Sequence, residues 1–127
     1  MRTSFVMAIL LLAGIIAGGL WAERHTAGLA DRYVSAAEEI RIMTEKNDWL
    51  RARETVSAYI DAWKDTTPWL QILINHDDID DVTLALMRLQ AAVAVRDASL
   101  CRELCAELRE DAQHIHHRDA FSLGNVL

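Results

Sequence analysis

Apolar positions follow two regimes along the chain. From Ser4 to Ala22 nineteen residues, SFVMAILLLAGIIAGGLWA, carry no charge. As a helix this run spans about 28 Å, close to the roughly 30 Å hydrocarbon core of a bilayer, so it is expected to cross a membrane. Beyond it, apolar residues recur in steps of three and four, the period of amphipathic helices. Leu29, Tyr33, Ala37, Ile40 and Met43 mark one face of a helix that ends near Lys46. Asn47-Asp48 interrupts the pattern and can cap a second helix carrying Trp49, Ala52, Val56, Tyr59 or Ile60, and Trp63. Thr66-Thr67-Pro68 is expected to stop that helix and open a shorter one, because proline suits a first turn.

The acidic stretch His76 to Asp81 opens a further run through Ile79, Val82, Leu86, Leu89 and Val93. Arg96-Asp97 breaks it, and a last long helix places Leu100, Leu104, Leu108 and Ile115 on one side with Cys101 and Cys105 beside them. Phe121 to Leu127 reads as a short semi-apolar tail. An offset of forty-nine residues pairs Tyr33 with Val82, Ile40 with Leu89, Asp48 with Asp97 and Val56 with Cys105. The expected fold is therefore all-α: an N-terminal transmembrane helix followed by two antiparallel helical hairpins, either tetratricopeptide-like units or an irregular helical bundle. Residues 1–25 form the signal-anchor and residues 26–127 an extracytoplasmic helical domain.

Charge distribution sets the orientation. Arg2 and the terminal amine precede the apolar run, whereas Glu23, Arg24, Asp31, Arg32, Glu38 and Glu39 follow it, so the positive excess lies on the N-terminal side and the N-terminus is expected in the cytoplasm with the helical domain outside. Trp21 stands where an aromatic ring would lie among headgroups. The alternative is a cleavable signal peptide, since Ala17-Gly18-Gly19 offers an A-x-A-like site. The run continues through Leu20, Trp21 and Ala22 to spanning length, which favours retention in the cytoplasmic membrane.

Composition narrows the chemistry. Five glycines and one proline among 127 residues leave little turn or strand material, and a net charge of -6 without a basic face argues against nucleic-acid binding. Cys101 and Cys105, four apart on a helix, are poorly placed for a relaxed disulfide and read as buried thiols. His76 and Asp80 could face one way and offer two metal ligands, making them weak metal candidates. Acidic residues at a helix start are better explained as caps and partners of the helix dipole. His114, His116 and His117 are a second such group, better read as a solvated helix end. No Ser-His-Asp order, Gly-rich phosphate loop, CxxC or HExxH occurs, so neither catalytic residues nor a cofactor is expected. Trp49, Trp63 and Trp69 gather along the second helix and the Pro68 turn and are expected to pack in the core, the alternative being an exposed aromatic surface for a partner or a headgroup layer.

The N-terminal anchor, Asn47-Asp48-Trp49, Trp63, Trp69 with Ile74-Asn75-His76-Asp77-Asp78-Ile79-Asp80, and the terminal Ser122-Leu123-Gly124-Asn125-Val126-Leu127 together resemble the domain-of-unknown-function 4363 family. The chain departs from that family's pattern at Asp78 and Gly124, where glutamate is usual, and at His116, where proline commonly stands. The resemblance implies a membrane-anchored helical domain without an assigned catalytic activity, with a membrane protein as a partner. Trp69, His76, Asp78, Asp80 and Asn125 form its structural signature. The Leu123-Val126-Leu127 segment is expected to fold back near the His76 to Asp80 turn as a clasp. The leading functional expectation is a protein-binding or scaffolding module displayed at a lipid bilayer through residues 4–22. The alternative is a metal-responsive sensor or metal-dependent enzyme using the His76 to Asp81 turn.

Overall fold

In the computed structural model the backbone is described for residues 1–126 and the side chains for residues 1–115. The chain forms four helices, α1 (Arg2–Glu45), α2 (Trp49–Leu73), α3 (His76–Ala94) and α4 (Ala98–Val126), and no strand among the described residues. The apolar run and the first amphipathic segment thus belong to one 44-residue helix. Its large apolar residues are exposed up to Trp21, and burial begins at Thr26 and Leu29. The residues from Phe121 to Val126, expected as a tail, continue α4.

Helix α1 packs against α2 and most broadly against α4, while α3 packs against the same two. The four helices therefore close a ring around one core, the arrangement of an antiparallel four-helix bundle. Tetratricopeptide units would instead stack in file. Of the two architectures expected for the hairpins, the structure takes the bundle. At its centre lie Tyr33, Ile40, Val56, Trp63, Leu86 and Leu108, each 1% exposed or less. Tyr33 meets Trp63 edge-on at 5.0 Å, and its hydroxyl donates to the Tyr59 carbonyl oxygen at 3.1 Å. The Trp63 indole N–H donates to Thr83 Oγ1 at 2.7 Å, so this large side chain is buried without a stranded donor.

The expected break at Pro68 does not occur: α2 runs through it to Leu73. Proline cannot donate to the carbonyl four residues back, here that of Lys64. The Thr67 hydroxyl donates to that oxygen at 3.1 Å, and Thr66 donates to the Ala62 oxygen at 2.8 Å. The Thr67 hydroxyl thus covers the carbonyl that the proline leaves without its usual donor. Trp49, Trp63 and Trp69 all stand on α2 and pack on the core, Trp63 buried within it and the other two partly buried against it. Trp49 opens α2 and Trp63 lies fourteen residues further on, about 21 Å at the rise of an α-helix.

Both hairpin turns end in the same way. Asp48 N–H donates to the Met43 oxygen at 2.9 Å and Asn47 N–H to the Thr44 oxygen at 3.1 Å. Asp97 N–H donates to the Ala92 oxygen and Arg96 N–H to the Val93 oxygen, both at 3.1 Å. These are paired Schellman motifs with a left-handed residue, Asn47 at φ 59° and Arg96 at φ 56°. Their positions differ by the forty-nine residues of the sequence offset. The repeat is therefore present in backbone geometry, although the hairpins close into a bundle.

Candidate functional site

The end of the bundle from which the apolar half of α1 emerges, here the lower end, gathers most of the residues of interest. Its level along α1 follows from side-chain pairs: Thr55 with Met43, Tyr59 with Tyr33, and Trp69 with His25. Four residues past Trp69, α2 finishes at Leu73, level with Trp21, the last aromatic of the uncharged run. The α2–α3 turn therefore sits where that run ends.

The turn itself is built from Ile74 and Asn75. Ile74 is extended, with φ −128° and ψ 154°, and only 7% exposed, so it plugs the lower core. Asn75 is the N-cap of α3: its Oδ1 accepts from Asp77 N–H at 3.3 Å. The sequence reading had assigned capping to the acidic residues. An amide at that position performs it, while Asp77 and Asp78 lie in the first turn, where carboxylates complement the helix dipole. Asp78 and Ile79 are buried, at 4% and 3% exposure, and His76 and Asp80 are exposed.

Trp69, His76, Asp78 and Asp80 thus share one end of the molecule. The side chains of Leu123, Asn125 and Val126 and the whole of Leu127, on which the expected clasp falls, lie outside the described residues, as do the side chains of His116 and His117; the backbone up to Val126 continues α4. Among the described residues, no group of three or more His, Cys, Asp or Glu side chains is placed to hold a metal ion. His76 and Asp80 are left as a surface pair at a helix start.

Two features of the lower end escaped the sequence reading. The first is a ladder of rings: Trp21 stacks on His25 at 5.2 Å with planes 10° apart, and His25 meets Trp69 at 4.8 Å. The Trp21–His25 step is an i, i+4 pair on one helix and was legible, whereas Trp69 arrives from α2. The second is a groove between α1 and α2 of roughly 340 Å³, lined by Arg24, His25, Gly28, Leu29, Arg32, Thr66 and Trp69. Arg32 also lies over the Tyr59 ring, 5.9 Å from its centroid.

Ion pairs gather on the other side of α1. Arg41, in the groove between α1 and α4, is bound by Glu38 and by Glu45, the latter at 2.8 Å, and Arg102 approaches Glu45 at 3.7 Å. The Arg41 hydrogen bond holds the Glu38 carboxyl below its usual range. Cys101 and Cys105 are free and buried, and burial pushes the Cys105 thiol up to about 12, far from a reactive thiolate. Burial likewise raises Tyr33 to about 12. On α4, Asp111 is raised by partial burial and then by the Asp81 charge on α3.

Among the described residues, α1 is the one helix long and apolar enough to cross a membrane, by length and composition, and none of that window is buried in the bundle. A family model described as "Domain of unknown function (DUF4363)" matches residues 20–126, which include the whole α2–α3 turn and both Schellman turns. No curated protein and no solved structure matches the chain.

Proposed function

The chain belongs to the DUF4363 family, and on that premise we propose that it is a single-pass membrane protein whose bundle acts as a binding or scaffolding module. In this reading residues 4–22 lie in the cytoplasmic membrane, the N-terminus is cytoplasmic, and the bundle stands outside against the lipid surface. Its partner is a membrane or extracytoplasmic protein, and it carries out no catalytic step. One observation carries the reading. Phe5, Leu10, Leu11 and Ile15 are 62–69% exposed around an uninterrupted helix whose second half is a wall of the core. An all-round apolar helix surface of that length calls for lipid rather than water.

The rigid junction supports the scaffolding part. Because α1 passes from the apolar run into the bundle without a break, the bundle cannot swing freely on a linker. On α3 the exposed Leu84 and Met87 supply apolar area for a partner. The test is to express the full chain with an N-terminal tag and follow it through membrane fractionation and alkaline extraction. Proximity labelling from the bundle then identifies its neighbours. The expected result is a tagged, full-length product retained in membranes with a protease-inaccessible tag and one enriched neighbour protein. A mature chain beginning near Leu20 would overturn the anchor.

A further inference from the structure

The groove between α1 and α2 differs in charge from the other grooves of the bundle. The α1–α4 groove sets Glu38 and Glu110 beside its arginines, and a shallow depression on α2 carries Glu54 and Asp61 beside Arg53. The lower groove has Arg24, His25 and Arg32 and, among the described residues, no carboxylate in its lining. Among the described residues neither Arg24 nor Arg32 forms an ion pair or a hydrogen bond. The Trp69 indole N–H likewise has no acceptor among them. In a chain of net charge -6, two arginines left without counter-charges in one concavity are a receptive site for an anion.

Position identifies the anion's source. Arg24 lies three residues above Trp21, about 5 Å along the helix, within the headgroup layer that flanks the hydrocarbon core by roughly 5–8 Å. Side chains on a helix lean toward its N-terminus, which for α1 is the lipid side, so Arg24 and His25 incline toward the headgroups, while Arg32, eight residues higher and over the Tyr59 ring, closes the groove from above. Trp21 and Trp69 flank the groove with ring faces and N–H groups suited to that layer. Gly28 keeps the floor open, with nothing within 4 Å of where a Cβ would stand.

We propose that this groove is a binding site for the phosphate-bearing headgroup of an anionic phospholipid, held by Arg24 and Arg32 over the Gly28 floor and beside Trp69. The inference rests on the anchored reading of α1 and adds to it a specific lipid contact that fixes the bundle's rotation on the membrane. A lipid held there bridges α1 and α2 at the level of the family signature.

The test uses the full chain reconstituted in phosphatidylcholine vesicles containing a minor fraction of phosphatidylglycerol, with lipid retained after mild extraction measured by mass spectrometry. Wild type is expected to retain phosphatidylglycerol enriched about tenfold over its bulk fraction, the scale of one charge-assisted contact. The Arg24→Gln/Arg32→Gln double variant loses the enrichment, and Arg102→Gln, in the other groove, keeps it. Gly28→Leu fills the floor without altering charge and is expected to lose it too. Because space is open at Gly28, its melting curve should match or exceed that of wild type. Enrichment that survives Gly28→Leu would mean diffuse attraction and would overturn the site. Displacement of the lipid by millimolar inorganic phosphate would assign the groove to soluble anions and overturn the lipid source. Flotation with pure phosphatidylcholine vesicles reports on the anchor separately: failure to float would sink the anchored reading and this inference together, whereas flotation without enrichment sinks the inference alone.

Discussion

The two ends of the bundle are closed by different means. At the upper end, two three-residue turns, Lys46 to Asp48 and Val95 to Asp97, satisfy the last helix carbonyls through the same pair of backbone hydrogen bonds. Each places a non-glycine residue in the left-handed region and leaves the adjoining side chains, Val95 among them, in solvent. At the lower end, no left-handed residue is used. Ile74 is extended and buried, Asn75 caps α3, and the exposed neighbours are rings and charges. The upper end locks its hairpins mainly with backbone geometry, while the lower end closes with the Ile74 side chain and the Asn75 amide. The residues shared with the DUF4363 signature fall mainly on that second end.

The largest effect expected from this contrast comes from removing the apolar plug of the lower turn. Ile74→Ala should cost about 2–5 kcal/mol, the range for emptying a buried aliphatic site, in denaturant unfolding of the full chain in micelles. Its upper-end counterpart Val95→Ala, 72% exposed, should stay within about 0.5 kcal/mol. Equal losses would erase the distinction between the ends.

Next in size, the two upper turns can be told apart. The Asp97 carboxylate accepts from Leu100 N–H at 3.1 Å, whereas Asp48 makes no such cap bond. Asp97→Ala should therefore cost about 1 kcal/mol, and Asp48→Ala clearly less, by the same unfolding measurement. A gain is expected from Arg96→Gly. The left-handed conformation costs an ordinary residue about 1–2 kcal/mol and glycine's extra chain entropy returns part of that, leaving a net stabilisation of about 0.5 kcal/mol. Asn47→Gly should gain less, because asparagine tolerates that region.

The smallest effect lies back toward the lower end, at Asp111. Its folded carboxyl is raised by partial burial and by Asp81, so the proton is bound more tightly in the folded chain than in the unfolded one. The group's contribution is then fully present below the ordinary aspartate value of about 3.9 and is lost as pH rises through the raised folded value. Asp111→Asn should melt slightly higher than wild type at neutral pH, with the difference closing as acid protonates the native side chain. A constant gap across that window would point to packing instead of charge.

The apolar faces and the two hairpin turns were the legible part of this chain. The steps of three and four located the buried faces, and Asn47-Asp48 and Arg96-Asp97 marked both turns, because local chain chemistry decides where a helix can stop. Pro68 was misread for the complementary reason. The rule that proline ends a helix considers the missing donor but not the hydroxyl of Thr67 that replaces it. Of the candidate site, His76, Asp78 and Asp80 could be recognised as a distinctive turn. Arg24, His25 and Arg32 could not, because nothing in α1 alone says that Trp69 and Thr66 will face them.

By itself, then, the sequence determined that the protein is helical, where its four helices turn, which stripe of each is apolar, and that its first nineteen uncharged residues are long enough to span a bilayer. Only tertiary structure decided that α1 lies beside α4 so that two similar hairpins close into a ring, and that the end of α2 comes level with Trp21. The reason is physical: periodicity specifies that a face must be covered, whereas the neighbour that covers it is chosen by packing among helices far apart in the chain.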